Sequence, residues 1–113
     1  MEISFGNSRL DKLANDDKKM LKELGALRAK KFKFRLNQLS VAVNLEETRY
    51  LPGNFHELTN IRKGQWACDL DQPFRLIFVP QESPIPVNEE GQYIWTEIKA
   101  VEIIEITNYH KED

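Results

Sequence analysis

Residues 51–78 read LPGNFHELTNIRKGQWACDLDQPFRLIF, and this stretch decides the fold. Pro52-Gly53 opens it as a turn: proline pre-sets the first central position, and glycine tolerates the positive φ that a type II turn needs next. Residues 55–58 predict a short strand and 60–64 a polar connection. Residues 65–70 predict a second strand, with Trp66, Cys68 and Leu70 on one face and Gln65, Ala67 and Asp69 on the other. Asp71-Gln72-Pro73 supplies a tight reversal. Residues 74–79 then run back with Phe74, Leu76 and Phe78 opposite Arg75 and Ile77. Arg75 thus projects from an apolar strand, where a guanidinium needs water, a carboxylate or an anionic ligand.

Upstream, Ile3 and Phe5 alternate with Glu2 and Ser4, which predicts a half-buried N-terminal strand. Leu10, Leu13, Asp17, Leu21 and Leu24 recur at helical spacing, with Ser8 and Asp11 as a capping signal and Gly25 as the stop. A second helix carries Ala29, Phe32, Leu36, Leu39 and Val43 on one stripe. Two helices joined this tightly form a hairpin. Asn44 is placed to cap one further turn over residues 45–50.

Downstream, residues 80–99 hold three prolines, Gly91 and several acids, with Tyr93, Ile94 and Trp95 as the apolar cluster that would tack down a loop or irregular hairpin. Residues 100–109, AVEIIEITNY, are β-branched and apolar on both faces, the pattern of a strand flanked on both sides within a sheet. The order predicts one α+β domain over residues 1–113: N-terminal strand, two-helix hairpin, then a largely antiparallel β-sheet with the helices on one face. The other face would gather His56, Arg75, Tyr109 and His110.

The chain of 113 residues is 41% hydrophobic, enough for one modest core, and its net charge of −2 argues against a general nucleic-acid binder. The charge is segregated, however. Residues 1–55 carry 11 Lys/Arg against 7 Asp/Glu, whereas residues 80–113 carry 2 against 8. The cluster Arg28, Lys30, Lys31, Lys33 and Arg35 suits either phosphate contact or the solvated side of an amphipathic helix. A single cysteine, no apolar run of membrane-spanning length and no signal-peptide pattern lead us to expect a cytoplasmic protein without disulfides or a membrane anchor.

The order LPGxxHxL, RKGQW, RLIF and a terminal EI-x-x-YH behind a two-helix hairpin resembles HigB-type toxins of the RelE/ParE toxin-antitoxin superfamily. The resemblance spans nearly the whole chain, with residues 80–99 as a variant loop. It implies a RelE-like domain and a cofactor-free, metal-independent endoribonuclease that cuts messenger RNA on the ribosome, with a HigA-like antitoxin as partner. In such enzymes the ribose 2′-hydroxyl attacks the adjacent phosphate. His110 matches the family's C-terminal histidine, and the imidazole, titrating near neutrality, suits general acid or base work. His56 is the second candidate. Arg75 would stabilise the charge gathering on the phosphate, Tyr109 would stack on a base or orient the phosphate, and Arg62, Lys63, Lys30, Lys31 and Arg35 would guide the RNA backbone.

Each residue also has a plainer role. His56 suits capping of the adjacent turn, Lys63 a solvated loop, Tyr109 a packed strand end, and Trp66 the core. The chain also departs from the family pattern. HELKGDRKGQW is typical there and HELTNIRKGQW stands here, so Thr59 replaces a phosphate-binding lysine, and Asn108 stands where aspartate is usual before YH. These departures sustain an alternative class: a non-catalytic binding module, either a ParE-like topoisomerase inhibitor or an inactive toxin acting in antitoxin binding and operon regulation. A third reading makes the loop 80–99 the binding element of an interaction domain.

Overall fold

The computed structural model describes residues 1–108. One five-stranded mixed sheet runs in the order β1-β5-β4-β3-β2, built from β1 (Glu2–Phe5), β2 (His56–Glu57), β3 (Trp66–Asp69), β4 (Phe74–Pro80) and β5 (Ala100–Asn108). The antiparallel expectation holds for β2 through β5, with Asp69 opposite Arg75 and Phe74 opposite Asn108. It fails at β1, which lies parallel to β5 with Ile3 beside Val101. Strand β5 is paired on both edges, between β1 and β4, as its two apolar faces predict.

Three helices, not two, cover one face: α1 (Ser8–Asn15), α2 (Asp17–Leu24) and α3 (Ala26–Val41). The single helix expected over 8–24 breaks at Asp16, whose backbone is extended and whose carboxylate accepts from the N–H of Lys19. A capping aspartate between two polar neighbours favours a new N-terminus over a continued turn. The cap of α1 is Asn7 rather than Ser8, its amide oxygen accepting from Leu10 N–H. Gly25 ends α2 with φ of 81°, as expected of a glycine stop. Residues Leu45–Tyr50 form a 3-10 turn that Asn44 does not cap through its side chain; Glu47 instead accepts from Val43 N–H.

The core lies between helices and sheet. Leu10, Leu13, Met20, Phe32 and Leu39 pack on Trp66, Cys68, Leu76, Phe78 and Ile103. The loop 80–99 is irregular, as expected, and is tied down through its aromatics: Tyr93 and Trp95 pack on Trp66 with centroids at 5.1 and 5.8 Å, and Trp95 Nε1 donates to Glu57 at 2.7 Å. A bulge in β5 shifts the register between Ile77–Glu105 and Phe78–Ile103. Ile104, the extra residue, packs with the small cluster Leu58, Ala67 and Ile77 on the uncovered face. No described helix is long and apolar enough to cross a membrane.

Candidate functional site

Alternation along three antiparallel strands sends His56, Asp69 and Arg75 to the uncovered face while their neighbours Phe55, Cys68, Leu76 and Phe74 join or pack against the core. There His56, Asp69 and Arg75 line one open cavity of about 330 Å³, walled further by Asn54, Gln72, Pro73 and Phe74. The expected meeting of His56 and Arg75 is therefore observed. Tyr109 and His110 lie outside the described residues. The last described residue, Asn108, pairs with Phe74, so β5 arrives at this cavity's wall.

The cavity is held by polar struts from the helical layer. Arg35, 6% exposed, donates through Nε to the Asp69 carbonyl at 2.6 Å and through Nη1 to Gln38 at 3.1 Å. Gln38 in turn donates to the Pro52 carbonyl at 2.9 Å, and Asp69 N–H donates to the Gly53 carbonyl at 2.8 Å. The 52–53 turn, the end of β3 and α3 are thereby locked together. Gly53 has φ of 120°, and a Cβ there would stand 2.9 Å from the Arg35 guanidinium, so this turn requires glycine twice over. On the opposite wall, Arg28 grips Asp71 with two hydrogen bonds of 2.9 and 3.1 Å and stacks on Phe74 at 3.5 Å, fixing the β3–β4 reversal.

His56 is oriented by a local bond. Its Nδ1 lies 2.6 Å from the Asn54 carbonyl oxygen, which can only accept, so in the neutral ring Nδ1 carries the proton and Nε2 presents its lone pair. Arg75 is 7% exposed on the cavity wall beside the register position of Thr107. Desolvating it there strengthens its attraction for an anion.

The other cations named from sequence do not share this cavity. Arg35 is buried in the strut described above. Arg62 spans to Glu105 at 2.9 Å and to Gln65 at 2.8 Å. Lys63 lines a separate cavity with Arg49, Glu57 and Tyr93, at the loop 80–99. Lys30 is exposed and Lys31 half-buried on α3, in the helical layer. Thr59 is exposed and precedes the 3-10 turn Asn60–Arg62, which begins with Asn60 at φ of 56°.

Sequence reasoning missed Asp69 and Asn54. Asp69 was legible as the same-face neighbour of Arg75, but only once the hairpin register is known. Cys68 is no nucleophile: it is fully buried on the covered face, and desolvation pushes its thiol far above the ordinary range, with Arg35 pulling the other way and Asp69 adding to the rise. Among the described residues no group of three or more His, Cys, Asp and Glu side chains could hold a metal ion. Compared with protein-family models and with curated proteins, the chain finds no match.

Proposed function

We propose that this chain is the toxin of a type II toxin-antitoxin pair, a ribosome-dependent messenger RNA endoribonuclease of RelE-like fold, and that the cavity around His56 and Arg75 is its active site. The observation that carries the reading is the pairing in one open cavity of an imidazole presenting Nε2 with a desolvated guanidinium. In the proposed step the 2′-oxygen bonds to phosphorus as the bond from phosphorus to the 5′-oxygen breaks, leaving a cyclic phosphate and a 5′-hydroxyl. His56 Nε2 takes the 2′-hydroxyl proton. Arg75 donates hydrogen bonds to the non-bridging oxygens as negative charge builds on them. His110 is assigned the return of a proton to the 5′-oxygen, and Tyr109 the orientation of phosphate or base, both on the resemblance alone. The side chains carry every proton, a HigA-like antitoxin is the expected partner, and the cytoplasm, with its ribosomes, is the place of action.

A second reading draws on the cations: Arg35 and Arg62 are engaged inside the fold and Lys63 lies at another cavity, which suits a binding module without an RNA track. Inducible expression in a bacterium separates the two, comparing wild type with His56→Ala and His110→Ala and mapping new 5′ ends on messenger RNA. In-frame cuts lost in both variants support the nuclease. Growth arrest without cuts supports a topoisomerase inhibitor, and a folded, harmless wild type supports an inactive, antitoxin-binding toxin.

A further inference from the structure

The cavity around His56 and Arg75 holds one charged group that the proposed cleavage does not use. Asp69 is the one carboxylate among the described residues lining it, and it stands opposite Arg75 in the β3–β4 ladder. The two form no salt bridge, and the Asp69 carboxylate accepts no hydrogen bond from any described residue. Nor does it orient His56, whose Nδ1 is held by the Asn54 carbonyl. The backbone beneath it is nonetheless fixed on both sides: its carbonyl accepts from buried Arg35 at 2.6 Å, and its N–H donates to the Gly53 carbonyl at 2.8 Å. A half-buried carboxylate on a rigid strand end, with no partner among the described residues, is a pre-set acceptor for a ligand.

We infer, taking the nuclease reading for the choice of RNA as ligand, that Asp69 reads the base beside the scissile phosphate and selects guanine. A carboxylate set next to a phosphodiester repels it, a cost that is offset only where the substrate gives that carboxylate hydrogen bonds. Two carboxylate oxygens accept two parallel N–H bonds. Guanine alone among the four bases places two donors side by side on its Watson–Crick edge, N1–H and the N2 amino group. Adenine and cytosine each set an acceptor beside their amino group, and the single N–H of uracil lies between two carbonyls. That edge is open to a side chain in single-stranded RNA, whose bases can be splayed out. The cavity suits one base: about 330 Å³ is at the small end of ligand pockets, roughly 300–1,000 Å³, and Pro73 and Phe74 give it an apolar wall. Arg28 holds that wall in place through its stacking on Phe74 and its two bonds to Asp71. With phosphate on Arg75 and base on Asp69, the ligand answers both charges of the cavity. Any other base in that place would leave one carboxylate oxygen facing an acceptor, and an unmatched polar group is how a site built for hydrogen bonds rejects the wrong ligand.

Two-dimensional NMR titration of the full chain with the 3′- and 5′-monophosphates of the four ribonucleosides, to millimolar concentration and without ribosomes, tests this apart from cleavage. A guanosine monophosphate should bind about five- to a hundredfold tighter than its adenosine, cytidine and uridine counterparts, with the largest shifts at residues 54–56 and 69–75. Asp69→Asn turns one acceptor oxygen into an amide donor, so it should remove that preference and favour adenosine, whereas Arg75→Gln should weaken all four and keep their order. Should Asp69→Asn fail to fold, the wild-type order alone decides. Binding that ignores the base, favours another base, is absent, or keeps its guanine preference in Asp69→Asn overturns the inference, while the nuclease reading still stands or falls on the mapped 5′ ends. A guanine preference that Asp69→Asn abolishes, in a protein that makes no cuts, supports the role of Asp69 and removes the nuclease.

Discussion

The two faces of the sheet use alternate residues of the same strands for different ends. On the covered face Trp66, Leu76 and Phe78 are wholly buried under Phe32 and Leu39, and the free energy of folding is concentrated there. On the uncovered face the apolar centre shrinks to Leu58, Ala67, Ile77 and part of Ile104, and the strand ends carry His56, Asp69 and Arg75. A period of two lets one residue be changed for chemistry while its neighbour keeps the fold. Stability and activity should therefore separate by face.

The largest test is Phe32→Ala. Phe32 is wholly buried between α3 and the sheet, and truncating such a ring costs about 3–5 kcal/mol in transfer and cavity terms. Chemical denaturation should show that loss. A change below 1 kcal/mol would mean the covered face is not where stability resides.

Next comes the junction between the faces. Gly53→Ala should cost about 1–3 kcal/mol, because alanine is strained at φ of 120° and its methyl displaces a guanidinium that bonds Asp69 and Gln38, the latter bonded in turn to Pro52. It should also lower any activity of the cavity, since the turn leads directly into His56. Loss of stability with cavity function intact would show the strut to be purely structural.

On the uncovered face His56→Ala should move stability by about 0.5 kcal/mol or less, yet reduce cleavage by about 10²–10⁴-fold if the base is removed. Equal losses in both measurements would erase the distinction between the faces.

Much of this division was legible beforehand, and the failures have physical reasons. The alternation in 65–70 and 74–79 placed Trp66, Cys68 and Leu76 inward and Arg75 outward, because a sheet with one solvated face must alternate. The cavity's partners required register: nothing local says that Asp69 stands opposite Arg75, or that Asn54 would orient His56. The parallel pairing of β1 with β5 joins residues nearly the whole chain apart and leaves no local signal. The break at Asp16 was readable, since Asn15-Asp16-Asp17 holds a capping side chain, but counting Asp17 in the apolar stripe of one long helix concealed it. Arg35 looked like its basic neighbours, and only its contact with the 52–53 turn distinguishes a strut from a solvated cation.

The smallest effects belong to Glu105 and Cys68, and together they sharpen the contrast. Glu105 pairs with Arg62 on the uncovered face at a partly exposed position, so Glu105→Gln should cost about 0.2–1 kcal/mol and less in high salt. Cys68, two residues from Trp66 on β3, sits on the covered face with its thiol pushed far above the ordinary range by burial. A neutral thiol does not attack, so the native protein at pH 8 should resist a disulfide reagent that labels the denatured chain within minutes. Its residual labelling rate then reports opening of the covered face alone. Phe32→Ala should raise that rate exponentially with the lost stability, by about tenfold for each ~1.4 kcal/mol, whereas Glu105→Gln should leave it within about fivefold of wild type. If Glu105→Gln accelerated labelling as much as Phe32→Ala does, the two faces would open as one unit and the uncovered face would share in holding the core.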